Sequence, residues 1–238
     1  MAAILNIETA TPLCSVALAI NGQVISQRET KEEKSHAARL TVFIEEILEE
    51  SNLLVSDLDA VAVGKGPGSY TGLRIGVSAA KGLCFGSALP LIAVGTLKVL
   101  YQQVITDPGQ FIKELLTGQD LLLCPMIDAR RMEVYTCLYN KQGDEIEPVS
   151  ARIINPESYN DRLSRHTILF FGSGMDKCHK VILEKHAVFV PDIYPHASSL
   201  AILAEEKYNQ GIFEDIAYFE PLYLKDFITT TSKKSLFV

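Results

Sequence analysis

A chain of 238 residues with 47% hydrophobic and 21% charged residues is long enough for one large core or two small ones. Its net charge of −7 excludes an unaided grip on a phosphate backbone, and the lack of any eighteen-residue apolar run excludes a membrane-spanning helix. Five scattered cysteines (Cys14, Cys84, Cys124, Cys137, Cys178), with no C-x-x-C, exclude a disulfide framework and a cysteine zinc site. Met1 to Ala10 carries no basic n-region, so the expected compartment is the reducing cytoplasm, with no membrane partner.

In chain order, Ala3 to Glu8 reads as a strand ending in an acid, Leu13 to Ile20 as a second, and Gln23 to Thr30 as a third. Asn21-Gly22 between the last two is the dipeptide of a tight hairpin turn. His36 to Glu50 has helical period, with Leu40, Phe43, Ile44, Ile47 and Leu48 on one face. Asp59 to Gly64 is a buried strand, Thr71 to Ser87 a helix, Leu91 to Val94 a strand, and Leu97 to Gln103 a helix. Asp107-Pro108-Gly109 and the weakly patterned residues after it read as a passage between lobes.

The second half repeats this grammar. Leu121 to Asp128 is a strand ending in an acid, and Met132 to Asn140 and Glu145 to Ile154 flank the turn Lys141–Asp144. Asn155-Pro156-Glu157 opens a helix with Pro at its first position. Thr167 to Phe171, the loop Gly172-Ser173-Gly174, a helix, Ala187 to Val190, and a helix from Ser198 to Gln210 follow. Lys225, Lys233 and Lys234 read as a solvated tail. The spacing predicts two copies of one lobe, residues 1–106 and 107–238, with a cleft between them.

Gly64 to Gly72 joins a buried strand to a helix. It is not a Walker loop, since its lysine precedes the glycines and no Gly-Lys-Ser/Thr closes it. Between Ala60 and Thr106 there is no acid, while Lys65, Arg74, Lys81 and Lys98 are present. Free amides of the first helical turn in such surroundings favour an anion, and Gly66, Gly68, Ser69, Tyr70, Thr71 and Gly72 are the candidate residues. The helix after the loop carries Gly76 and Gly82 in its interior, each costing about 1 kcal/mol relative to Ala. Leu73, Gly76, Val77, Ala80 and Cys84 line one face; Ile75, Ala79, Gly82 and Gly86 line the opposite one. Such a helix needs cover on two sides: one packs on its own sheet, and the other suits the adjoining helix of the same chain, a partner, or both. Sequence alone leaves open which face turns inward. The expected partner surface is centred on Val77 and Ala80, flanked by Leu73, Gly76 and Cys84, with His36, Leu40 and Phe43 from the first helix. Ala80→Arg is then expected to break pairing and spare the fold.

Gly66 to Gly76, followed by Ala80-Lys81-Gly82-Leu83, resembles a signature of the TsaB (YeaZ) family. Ile127 to Tyr135 resembles that family's second signature and Ile4 to Thr9 its opening strand. The resemblance implies an α/β actin/Hsp70-like (ASKHA) fold of two RNase H-like lobes. It also implies a non-catalytic subunit that pairs with the catalytic paralogue TsaD, joined by the ATPase TsaE, to place threonylcarbamoyl on adenosine 37 of tRNA. Contact with tRNA is expected only through that complex, ATP or ADP only within it, and self-pairing when the partner is absent. Thr96 and Leu100 stand where the catalytic paralogue has two metal-binding histidines, so no metal and no catalytic residue is expected here. Glu8 departs from the usual Asp, which argues against nucleotide hydrolysis. The alternatives are a small-molecule kinase using Glu8, Asp128 and Gly172-Ser173-Gly174 around ATP, and a metallopeptidase, which the missing histidines disfavour. His179 and His186 lack further ligands for a metal.

Overall fold

The computed structural model describes residues 2–32, 35–117 and 120–225. Lys233 and Lys234 lie outside them. The first half forms β1 (Ala3–Glu8), β2 (Cys14–Ile20), β3 (Gln23–Thr30), α1 (His36–Glu50), β4 (Ala60–Gly64), α2 (Tyr70–Ser87), β5 (Leu91–Val94) and α3 (Thr96–Thr106). The second forms α4 (Gly109–Leu116), β6 (Leu121–Asp128), β7 (Glu133–Tyr139), β8 (Glu145–Ile153), α5 (Asn160–Leu163), β9 (Thr167–Phe171), α6 (Met175–Cys178), β10 (Ala187–Val190) and α7 (Ala197–Asn209).

Both sheets have five strands in one order, β3-β2-β1-β4-β5 and its counterpart β8-β7-β6-β9-β10. In each, an antiparallel meander comes first and two parallel strands follow. The duplicated pattern is thus a duplicated topology, the paired RNase H-like lobes of an ASKHA fold.

The cores follow from strand alternation. In β1, Leu5 and Ile7 face α1 and α2, packing with Leu40, Ile44, Ile47, Val77 and Ala80. Ile4 points the other way, against Leu200 and Leu203 of α7. In β6, Leu121 and Leu123 meet Leu97, Leu100 and Val104 of α3, while Leu122, Cys124 and Met126 face α6. The sheets lie either side of residue 107, but two helices cross over: α3 packs on the second sheet and α7 on the first. That exchange ties the lobes together. All five cysteines are free and buried, and burial pushes the thiols of Cys14, Cys84 and Cys178 up to about 11.

Two elements differ from the sequence reading. The passage after Asp107 contains α4, because Ile112 reaches the α3 core with Leu115 and Leu116 packed beside it. Asn155-Pro156-Glu157 makes a side-chain turn, not a helix start: Asn155 Oδ1 accepts from the Glu157 amide at 3.0 Å. Tyr159 then takes φ +69°, burying its ring 5.3 Å from that of Phe170. Only the single turn α5 follows.

Candidate functional site

The glycine loop is pressed onto the turn after β1. A Cβ placed at Gly68 would lie 2.3 Å from Ala10 O, at Gly72 2.1 Å from Thr9 O, and at Gly76 2.2 Å from Thr9 Oγ1. Thr9 Oγ1 donates to Gly72 O at 2.8 Å and the Ser69 amide to Ala10 O at 2.7 Å. The Gly66 amide donates to Thr96 Oγ1 at 3.2 Å, and the Gly72 amide to its cap, Ser69 Oγ, at the same distance. The packing of the loop commits half of the amides in the candidate anion site. Amides of Gly66, Ser69 and Gly72 are spent inside the chain, and Gly68 and Gly72 are small because backbone lies where a side chain would go. Tyr70 instead turns its ring to Tyr223, and Thr71 is exposed on α2.

Glu8 sits beneath this loop, wholly buried. Its Oε1 accepts from the Ala10 amide at 2.8 Å and Oε2 lies 3.4 Å from Thr96 Oγ1. Gly64 leaves room for this carboxyl, since a Cβ there would stand 2.1 Å from Glu8 Oε2. Thr96 is thus committed to the loop and to Glu8, and Leu100 to the α3 core. Among the described residues no three His, Cys, Asp or Glu gather as metal ligands would. Burial raises the Glu8 carboxyl from 4.5 to about 7, against the pull of the Ala10 and Thr9 amides and the Thr96 hydroxyl. The native state then holds the proton where the unfolded chain has lost it. Its stabilising effect is full below pH 4.5 and disappears as pH climbs to about 7. Across that window the wild type should lose on the order of 3 kcal/mol that Glu8→Gln keeps. Urea unfolding of both proteins at pH 5 and pH 7.5 checks this; identical pH dependence would show that Glu8 ionises without cost.

The two helices beside the loop face opposite to expectation. Leu73, Gly76, Val77, Ala80 and Cys84 of α2 all turn inward, with Ala80 and Cys84 fully covered by the chain's own sheet and α1. Leu40 and Phe43 of α1 are buried in the same core. His36 is half-buried, its Nε2 3.0 Å from Thr11 O. These eight residues are core or near-core groups of the isolated chain, which corrects the surface centred on Val77 and Ala80. Along α2, the glycines with space around them are Gly82 and Gly86, where an added Cβ would meet nothing within 4 Å among the described residues. Beside Gly82 runs an open groove of about 580 Å³ between α1 and α2, lined by Ile44, Leu48, Leu53, Leu54, Ala79 and Leu83 among others. Leu54 is 70% exposed, and Phe85 on the outer side of α2 is 83% exposed.

The second lobe's loop is also structural. A Cβ at Gly172, with φ +96°, would stand 2.4 Å from Met126 O, so the turn packs on β6. Asp128 is paired with Lys177, which also donates to the carbonyls of Arg131 and Glu133. The acid and the glycine turn of the kinase reading are therefore engaged with their own lobe.

One feature without a sequence signal is the segment after α7. Glu214 bridges to Leu91 at the sheet edge, and Phe219 enters the first core. The Leu222 amide donates to Lys65 O at 2.7 Å, covering the glycine loop from outside. Lys225 reaches the other lobe, donating to Ala129 O at 3.1 Å and pairing with Glu133, so it is not the free tail cation its position suggested.

A family model described as "TsaD: tRNA N6-adenosine threonylcarbamoyltransferase" matches residues 23–233. The protein named "tRNA threonylcarbamoyladenosine biosynthesis protein TsaB" from Haemophilus influenzae is 30% identical, over 95% of this chain and 94% of its own. Its namesake in Escherichia coli is 31% identical over 94% of each. The chain belongs to the TsaB (YeaZ) family. A solved structure titled "YeaZ from Pseudomonas aeruginosa" superposes with a TM-score of 0.75 at 27% identity, over 94% of this chain and all of that one. The family signature thus marks the packed loop and α2, whose outer flank forms one wall of the groove. No helix among the described residues is long and apolar enough to cross a membrane.

Proposed function

We propose that this chain is a non-catalytic subunit for tRNA threonylcarbamoyladenosine formation, docking on the catalytic TsaD subunit through the groove between α1 and α2. Its relatives named for that biosynthesis support the pathway. The observation that carries the docking reading is Gly82. It sits exposed in a helix interior, costs about 1 kcal/mol there, and among the described residues nothing comes within 4 Å of where its Cβ would be. A helix laid across Gly82 and Gly86 would come close enough to fill the groove beside Ala79 and Leu83. A partner of the same fold can offer the equivalent helix pair, and a second copy of this chain can do so when that partner is absent.

Support for the non-catalytic part is the state of the acids: Glu8 is enclosed by the glycine loop and Asp128 is tied to Lys177. ATP or ADP accordingly belongs to the assembled complex, where the ATPase TsaE joins the pair, and the work is done in the cytoplasm where tRNA is. The test is reconstitution. This chain and TsaD, each alone, should leave tRNA unmodified when threonylcarbamoyl-adenylate is supplied, and their mixture should modify it. Modification by this chain alone, or no gain on mixing, would defeat the proposal.

A further inference from the structure

The flank of α2 turned away from the groove carries a different chemistry. Helical period places Tyr70, Arg74, Ser78 and Lys81 on it, and the segment from Phe219 to Lys225 runs alongside. Between them lies a pocket of about 440 Å³. The Tyr70 and Tyr223 rings meet there at 5.1 Å, and the Arg74 guanidinium stands 4.3 Å over Tyr70. Lys81 Nζ donates to Phe219 O at 3.0 Å, which leaves protons for another acceptor. Lys225, at the pocket's edge, donates to Ala129 O and so joins it to the turn bearing Arg130 and Arg131. Those two arginines are exposed and take φ of +68° and +50°. Arg74, Arg130 and Arg131 have no carboxylate partner among the described residues. The nearby acids are engaged, Glu133 by Lys225 and Asp128 by Lys177, except Glu220, which is exposed in the pocket lining.

A chain of net charge −7 that gathers cations and tyrosines on one face is suited there to a polyanion with stacking bases. We infer that this face contacts tRNA directly, with Arg74, Arg130 and Arg131 on phosphates and the Tyr70–Tyr223 pair against an unstacked base. RNA is read in this way, with arginines on the backbone and aromatic rings under splayed bases. The inference rests on the functional reading above and goes beyond it, since there tRNA reaches this chain only through its partner. Because the protein groove and the cationic flank lie on opposite sides of α2, one helix can serve both at once.

The experiment measures tRNA affinity of the assembled pair with TsaD between 50 and 200 mM salt, range chosen because phosphate contacts respond to it. Arg130→Asn and Arg131→Asn suit the positive φ, which Asn tolerates, and are combined with Arg74→Gln. The triple variant should bind tRNA at least about tenfold more weakly, with a salt slope shallower by about 2, as loss of three phosphate contacts requires. Tyr223→Ser should weaken binding at least about fivefold and leave the slope unchanged, as loss of stacking does. Size-exclusion chromatography should show the pair intact in both. Unchanged affinity and slope in an intact triple variant would overturn the inference. So would loss of a protein partner with tRNA affinity kept, which would make the face a protein-docking surface. Modification by the wild-type pair, measured alongside, tests the functional reading separately from the patch.

Discussion

Gly68→Val should leave the chain unable to fold stably. The first side-chain atom would lie 2.3 Å from Ala10 O, and that carbonyl is held by the Ser69 amide at 2.7 Å. Neither can give way alone, because the turn Glu8–Ala10 also carries the Glu8 carboxyl and the Thr9 bond to Gly72. Relief requires lifting the loop off β1, which uncovers Glu8 and the first turn of α2. The expected loss exceeds about 4 kcal/mol, a large part of the 5–15 kcal/mol typical of a domain. Gly86→Val is the control: with nothing within 4 Å among the described residues, it should keep or slightly raise stability. Thermal unfolding of the two variants measures this. A folded Gly68→Val with a melting point near wild type would show that the loop is free to move and restore a ligand site as the reason for its glycines.

Ala80→Arg should also unfold the chain. Ala80 has no exposed surface and packs with Val77 and Ile47 beneath β1 and β4. A guanidinium there finds no carboxylate, and a buried unpaired charge costs several kcal/mol. Two positions along the same helix, Gly82→Arg meets open solvent and replaces a poor helix former with a good one. The pair separates the two sides of α2: one substitution removes the fold, the other spares it or adds up to about 1 kcal/mol. Equal stability of the two variants, read by urea unfolding, would contradict this assignment of faces.

Much of the fold was legible because strand alternation and helical period are local. β3, β5, β6, β9, β10 and α1 stand at their expected bounds, and the repeated grammar of the halves is the repeated strand order. The site was less so, for physical reasons. Gly66 to Gly72 has the composition of an anion loop, yet glycine serves equally where backbone meets backbone, and only the position of Thr9 and Ala10 distinguishes the two. α2 has small or apolar residues almost all round, so its period could not say which side the sheet covers. Residue size does not decide it either, since Gly76 lies on the covered side and Ile75 on the other; the burial of Leu73, Val77, Ala80 and Cys84 does. The segment Glu214–Lys225 has no period at all, being held by single carbonyls and one buried ring, Phe219.

Complex formation between TsaD and the Gly82→Arg chain, followed by size-exclusion chromatography and by titration calorimetry, tests the docking surface most directly. The variant should be folded, with an unfolding midpoint at or above wild type, and should fail to pair, weakening affinity by at least about a hundredfold as a bulky charge enters the apolar contact. Ala79→Arg, on the groove wall, should behave alike. A folded Gly82→Arg chain that binds TsaD with wild-type affinity would contradict the account and move the partner surface off the α1–α2 groove.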